Sequence, residues 1–407
     1  MRKILVAIIL LLSIFLIIQN SIGNSFSLFQ QFKYTIPIKV KTWFKDYIFV
    51  HKSYKLLKEE NVRLKDGVEK IEFDTNIQRK KVFSLSNNDE FFKKSIIKAE
   101  KKIHLNYKNI RTDIINDYIL PKNLTTLINN GREIPKGYWI NKPSGDYTVY
   151  KLVYYNMSHY GILEKKKGNK KLIVYNQGHD NNPYNHQYFI DLKNFYKNNG
   201  YDILSLSMTN LGYNLNTSNK KEKINFPGLT EPIIHLSHHD YEKFYDPNLP
   251  NVNGLALMLS GNYYLIKEMT NNYEDIVMVG ISGGGWYTVL LSSIITEISK
   301  SYSFSGTFPF LLRMFGEFGD WEQIDSKIYE KYNYLDFYFL NVIDNEGNFS
   351  RYHSEIYNRR NKVFNDPAAS LFKKFKNEVS YNKNLNIHLL DSDKHKIDIE
   401  YLKILLK

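Results

Sequence analysis

From about Asp146 onward, short apolar runs alternate with amphipathic stretches. Tyr147 to Tyr155 and His159 to Lys165 predict an opening antiparallel hairpin. Leu172-Ile173-Val174-Tyr175 predicts a short buried strand. A helix follows, with Phe189, Leu192 and Phe195 on one face and Asn198-Asn199-Gly200 as its stop. Ile203 to Leu206 predicts the next strand. A polar excursion runs from Thr209 to about Asn253, before an apolar helix over Leu255 to Met269. Ile276 to Val279 predicts a buried strand, Trp286 to Ile298 a helix, and Ser301 to Phe308 another strand. Leu385 to Leu390 and Ile397 to Leu406 predict a final strand and helix. Strands alternating with helices predict an α/β fold, with a mostly parallel central sheet and helices on both faces. There is no internal repeat.

The chain before this region has another character. Met1-Arg2-Lys3 precedes an apolar run, Ile4 to Ile18, broken only by Ser13. Positive charge before the run, and none after it until Lys33, predicts an inside N-terminus and an exported body. The run is short for a spanning helix of about 20 residues. Residues 1–20 therefore read as a signal anchor or a cleaved signal peptide, with Ser21-Ile22-Gly23 a weak cleavage match. Residues 21–135 are rich in Lys and Glu and read as mainly helical. Tyr54, Leu57, Asn61, Leu64, Val68 and Ile71 follow heptad spacing, a seam suited to a homodimer. The stripe is under three heptads long and interrupted by Asp66-Gly67, which favours packing on the chain's own body. Pro121 and the stretch Gly131 to Pro135 mark loops before the sheet region, 136–407.

Composition narrows the function classes. The 407 residues carry a formal charge of +13 and no cysteine. Disulfides, thiolate metal sites and a cysteine nucleophile are excluded. The positive residues are interspersed with acids, apart from short runs such as Lys165-Lys166-Lys167. No nucleic-acid motif accompanies them, so they read as a solvated surface rather than a nucleic-acid face.

The chemistry centres on Gly280-Ile281-Ser282-Gly283-Gly284, a G-x-S-x-G pattern between an apolar strand and an apolar helix. A serine nucleophile needs lifting on a tight strand-to-helix turn, and the glycines permit the close approach that turn requires. Asn176-Gln177-Gly178-His179-Asp180 follows an earlier strand. Its Gln177 or Gly178 N–H is expected to join that of Gly283 as an oxyanion hole. His395 lies between the last strand and the last helix, where a general base for Ser282 is expected.

The acid partner has two candidates, because two strand readings compete. A strand over Phe337 to Ile343 would end at Asp344. A strand over Tyr352 to Asn358 would be followed by Asn361 and Asp366, and would leave one helix, Ala368 to Val379, before the last strand. The second spacing is the more regular βαβ unit, so Asp366 is placed ahead of Asp344. A further polar cluster, His235, His238, His239 and Asp240, reads as loop rather than as a metal site. Adjacent histidines seldom point the same way, so neither a metal nor a cofactor is expected.

The run Ile276 to Tyr287, I-V-M-V-G-I-S-G-G-G-W-Y, resembles the nucleophile region of bacterial α/β-hydrolase-fold proteins. Ser303 to Pro309, Gly319-Asp320-Trp321-Glu322-Gln323 and Asn333-Tyr334-Leu335-Asp336 are similar to the same group. The resemblance covers about Leu172 to the C-terminus. It implies an α/β-hydrolase fold, with Ser282 as nucleophile and His395 as base. Members of the group carry Asp where this chain has Asn361. The resulting expectation is an exported serine hydrolase, an esterase or deacylase, acting on a small or envelope-derived ester. The alternatives are acyl transfer to an acceptor other than water, and a non-catalytic binding or scaffold protein of the envelope.

Overall fold

The computed structural model describes residues 86–133, 143, 145–154, 157–179, 182–214, 245–246, 249–309, 312, 320–323, 325–329, 331–358, 366–392 and 394–405. The apolar segment Ile4 to Ile18, the heptad seam, the His235 to Asp240 cluster and Asn361 lie outside these residues. Among the described residues, no helix is long and apolar enough to cross a membrane.

A nine-stranded sheet runs through the described body. Its strands are β1 (Thr126–Asn129), β2 (Tyr147–Tyr154), β3 (Met157–Glu164), β4 (Lys171–Asn176), β5 (Tyr201–Leu206), β8 (Asp275–Ile281), β9 (Lys300–Phe304), β10 (Tyr352–Asn358) and β11 (Leu385–Leu390). A separate ribbon pairs β6 (Tyr245–Asp246) with β7 (Leu249–Asn253). The sheet order is β1-β2-β3-β5-β4-β8-β9-β10-β11. The strands from β5 across to β11 pair in parallel, and β1, β2 and β3 join antiparallel.

Helices α1 (Ser86–Tyr118), α2 (Gln187–Asn198), α3 (Gly254–Thr270), α4 (Gly283–Ile294), α5 (Ser326–Tyr329), α6 (Tyr334–Leu340), α7 (Asp366–Val379) and α8 (Ile399–Leu405) complete the order. The central strands are buried along nearly their whole length, as the unbroken apolar runs require of a sheet covered on both faces. Two apolar clusters flank it. One gathers α1, α3, α4, α6 and α7, and the other α2 and α8. Parallel strands crossed over by helices, with a strand–serine–helix elbow after β8, make this an α/β-hydrolase fold.

Three sequence expectations change in detail. The strand expected to reach Phe308 stops at Phe304, because Ser305 turns into the left-handed region at φ 47°. Phe337 to Ile343 is not a strand. Its first residues are buried in α6, opened by a reciprocal capping box between Asn333 and Asp336.

The third concerns residues 86–120. From sequence they belong to a separate helical region, but α1 shares the larger core with the sheet body. Phe92, Ile96, Ile103, Ile110 and Ile114 are all buried in it. Lys102 Nζ also lies 2.7 Å from the buried Asp336 carboxylate. Ile103→Ala should therefore destabilise the whole body by about 2–5 kcal/mol, the usual cost of truncating a buried aliphatic side chain. Urea unfolding followed at the body's tryptophans checks this; a midpoint unchanged from wild type would mean that α1 is dispensable to the sheet.

Candidate active site

Parallel strands deliver their C-terminal ends to one edge of the sheet, and the chain places most of its chemistry there. β8 ends at Ile281, and α4 begins at Gly283. Ser282 between them adopts φ 56°, ψ −129°, a conformation a non-glycine residue rarely holds. Such strain costs on the order of 1–3 kcal/mol and persists only where the surroundings enforce it. Here the Ser282 N–H donates to Phe304 O at 2.9 Å, and Ser282 O accepts from Trp286 N at 3.0 Å.

The neighbouring glycines are required by space. A Cβ on Gly280 would collide with the Gly284 carbonyl, and one on Gly284 with the Asn176 carbonyl. The turn is thereby pressed against the end of β4. The Ser282 side chain is partly exposed, and its hydroxyl makes no hydrogen bond to a described residue.

The loop after β4 meets this turn. A Cβ added to Gly178 would lie 2.9 Å from Ser282 Cβ and 3.3 Å from Gly283 N. Gly178 is thus pressed against Ser282 and Gly283, and neither the Gly178 nor the Gly283 N–H donates to another described residue. Gln177 is placed differently from expectation. Its N–H donates to Leu206 O at 2.9 Å, extending the β4–β5 ladder. Its side-chain oxygen accepts from Tyr175 Oη at 2.5 Å, and its amide donates to Tyr188 Oη at 3.1 Å. Gln177 therefore braces the loop through its backbone and its side chain.

His395 stands in the loop between β11 and α8. Asn358, the last residue of β10, donates from Nδ2 to Lys394 O at 2.6 Å and so ties that loop to the sheet edge. His395 keeps contact with solvent, yet partial loss of hydration and then the charge of His179 hold its imidazole below the ordinary histidine range.

The two acid candidates separate. Asp344 sits in the turn before β10, at the opposite edge of the sheet from Ser282. β10 is a seven-residue strand, so the two edges are roughly 20 Å apart at about 3.3 Å per residue. The Asp344 carboxylate closes its own turn, accepting from Glu346 N at 2.9 Å, Asn348 N at 2.8 Å and Ser350 Oγ at 2.6 Å. That placement removes Asp344 from the site. Asp366 opens α7, beyond the C-terminal end of β10, on the same side as Ser282.

The structure adds three residues to which the sequence reading assigned no role. His179 Nε2 lies 3.0 Å from Asp320 Oδ2 and 3.2 Å from Glu322 Oε1. The Glu322 side chain is fully buried, and His179 is 27% exposed. Burial disfavours the imidazolium, but the hydrogen bond and charge of Glu322, with the charge of Asp320, outweigh it and raise the His179 pKa. The three ligand-type atoms lie within 4.8 Å of one another. His179 Nε2 is thus within ion-pair distance of both carboxylates. Its sequence signal was the pair of short motifs Gly178-His179 and Gly319-Asp320-Trp321-Glu322. They are 141 positions apart (320 less 179), so only the fold shows that they meet.

No protein-family model and no curated protein sequence matches the chain. Among solved structures, acetyl xylan esterase 1 from Thermoanaerobacterium sp. is 12% identical. The match covers 74% of this chain and 92% of that one, with a TM-score of 0.41. An acetyl xylan esterase from Paenibacillus sp. R4 is 11% identical, over 75% and 92%, at 0.43. A carbohydrate esterase family 15 glucuronoyl esterase from Caldicellulosiruptor kristjansonii is 10% identical, over 74% and 82%, at 0.41. These likenesses are distant; the chain's own strand order and elbow define its fold.

Proposed function

We propose that the protein is a serine hydrolase acting on carboxylic esters. The observation that carries this is Ser282, held at positive φ between β8 and α4 with the Gly178 backbone pressed against it. In this reading Ser282 Oγ attacks the ester carbonyl carbon as His395 accepts its proton. The carbonyl oxygen becomes an alkoxide held by the Gly283 and Gly178 N–H groups. Collapse of the tetrahedral species expels the alcohol, which takes the proton from His395. Water, deprotonated by His395, then attacks the acyl-serine ester and restores Ser282.

Asp366 is the carboxylate proposed to orient His395. Its support is the start of α7 on the side of the sheet edge to which Asn358 ties the His395 loop. The positive–apolar pattern of residues 1–20 supports export with the body tethered or released outside, which cell fractionation with an intact N-terminal tag would check.

The test is labelling of the folded full chain by a fluorophosphonate probe. Modification mapped to Ser282 supports the reading. A folded protein that stays unlabelled supports the binding or scaffold alternative instead.

A pH dependence follows from the direction of the His395 shift. The base must be neutral to accept a proton, and a lowered pKa keeps it neutral further into acid. The acidic limb of kcat/KM for p-nitrophenyl acetate should therefore lie below the ordinary histidine value of about 6.5. A limb above that value would remove His395 from the role of base.

A further inference from the structure

The elbow carries a second imidazole with carboxylates of its own. His179 follows Gly178 directly, and its Nε2 faces both Asp320 and Glu322. The other edge of the ring lies against the first residue of α4. A Cβ on Gly283 would be 2.6 Å from His179 Cε1 and 2.7 Å from Nδ1. Met208 Sδ closes the same space from the loop after β5. The ring is thus wedged between two carboxylates and the residue whose N–H flanks Ser282. Carboxylates accept hydrogen bonds, so Nε2 carries a hydrogen. When the ring is charged, its second proton sits on Nδ1, on the edge turned toward Gly283.

Resting on the reading of Ser282 as an acyl-ester nucleophile, we propose that His179 is a third donor of the oxyanion site. Its imidazolium, clamped by Asp320 and Glu322, donates Nδ1–H to the carbonyl oxygen of the ester as that oxygen becomes anionic. The carboxylates lie behind the ring, a ring-width farther from the alkoxide than the donated hydrogen. They keep the donor charged and fixed before the reaction, so little reorganisation is needed when charge develops.

The charged groups facing His179 among the described residues are consistent with this. Glu322 and Asp320 favour its cation, and its charge in turn acts on His395. The contacts from α4 and from the loop after β5, Gly283 and Met208, are uncharged. Burial and then the same charge lower the His395 pKa, so the two imidazoles are shifted in opposite directions from the ordinary histidine value. One is a donor and the other a base, the pattern expected of paired acid and base groups.

The proposal is tested with the full chain, p-nitrophenyl acetate as probe ester, and kcat and KM measured across pH. Wild type should give a bell, with an acidic limb from His395 and an alkaline limb from loss of the His179 proton. His179→Gln should lower kcat by about 10²–10³-fold, the usual cost of one oxyanion donor, with KM within about threefold. It should also abolish the alkaline limb and move the acidic limb upward.

Asp320→Asn changes a half-exposed side chain and decides the matter if His179→Gln fails to fold. It should move the alkaline limb to lower pH. An alkaline limb unmoved in both variants would overturn the proposal, as would a loss confined to KM. Activity abolished by EDTA and restored by zinc would overturn it too, by making the trio a metal centre. If wild type is not labelled at Ser282 by a fluorophosphonate, the ester reading itself fails and this proposal with it. That result is distinct from an unmoved limb in a labelled enzyme.

Discussion

Ser282→Ala should abolish fluorophosphonate labelling and lower ester turnover by at least about 10³-fold, while the protein stays folded. Removing a serine nucleophile leaves only the catalysis that binding and oxyanion stabilisation supply. The fold should tolerate the change, because the Ser282 hydroxyl makes no hydrogen bond to a described residue. What holds the elbow is backbone: the Ser282 N–H on Phe304 O, the Trp286 N–H on Ser282 O, and the glycines pressed on β4. Ser282→Gly should be equally inactive yet more stable than Ser282→Ala by about 1 kcal/mol, since glycine occupies positive φ without a Cβ penalty. Labelling, p-nitrophenyl acetate turnover and thermal midpoints of the three proteins measure this. Turnover by Ser282→Ala within tenfold of wild type would place the nucleophile elsewhere. A midpoint for Ser282→Gly below that of Ser282→Ala would mean that the elbow is not strained.

The largest stability effect is expected far from Ser282, at Arg351. This residue precedes β10, and among the described residues its buried guanidinium donates only to backbone carbonyls. Nε reaches Ile298 O at 2.7 Å, and Nη2 reaches Ser292 O at 2.6 Å and Ile295 O at 3.1 Å. Nη1 reaches Leu340 O at 3.3 Å and Ile343 O at 3.4 Å. Arg111 of α1 approaches the same region, donating to Ser293 O at 2.9 Å, Leu340 O at 2.8 Å and Asp344 O at 2.9 Å. Two cations thus close the carbonyl ends of α4 and α6, where the helix dipoles are negative. Burial, then the like charge of Arg111, pulls the Arg351 guanidinium down to about 9. The carbonyl oxygens replace the water it has lost.

Arg351→Met keeps volume but takes the guanidinium away from Ile298 O and Ser292 O, while Leu340 O and Ile343 O keep Arg111 as a donor. It should cost about 3–5 kcal/mol, a large part of the stability of an ordinary domain. Arg351→Lys keeps the charge and loses the planar fork, so it should fall between Met and wild type. Urea unfolding by circular dichroism would decide; a loss under about 1 kcal/mol for Arg351→Met would show that water satisfies the carbonyls.

Much of the fold was legible along the chain because apolar periodicity and turn residues are local. The strands β4, β5, β8 and β11, and the helices between them, follow from runs such as Ile276 to Val279 and stops such as Asn198-Asn199-Gly200. Ser282 was legible for the same reason: an elbow is a contiguous strand–glycine–serine–glycine–helix pattern. The register of the polar loops was less so. Phe337 to Ile343 is apolar enough for a strand, and only the capping box at Asn333 and the packing of α1 on α6 make its first part a helix.

By itself, then, the sequence determined an alternating α/β body, a serine on a glycine elbow and a late histidine. Each is written in neighbouring residues. The tertiary structure alone decided which distant side chains meet. It moved Asp344 to the far edge of the sheet, committed the Gln177 N–H to the β-ladder, and drew α1 into the core. It also brought His179 to Asp320 and Glu322 beside Ser282. Such contacts depend on strand order, and a charged pair far apart in sequence leaves no periodicity by which the chain alone could announce it.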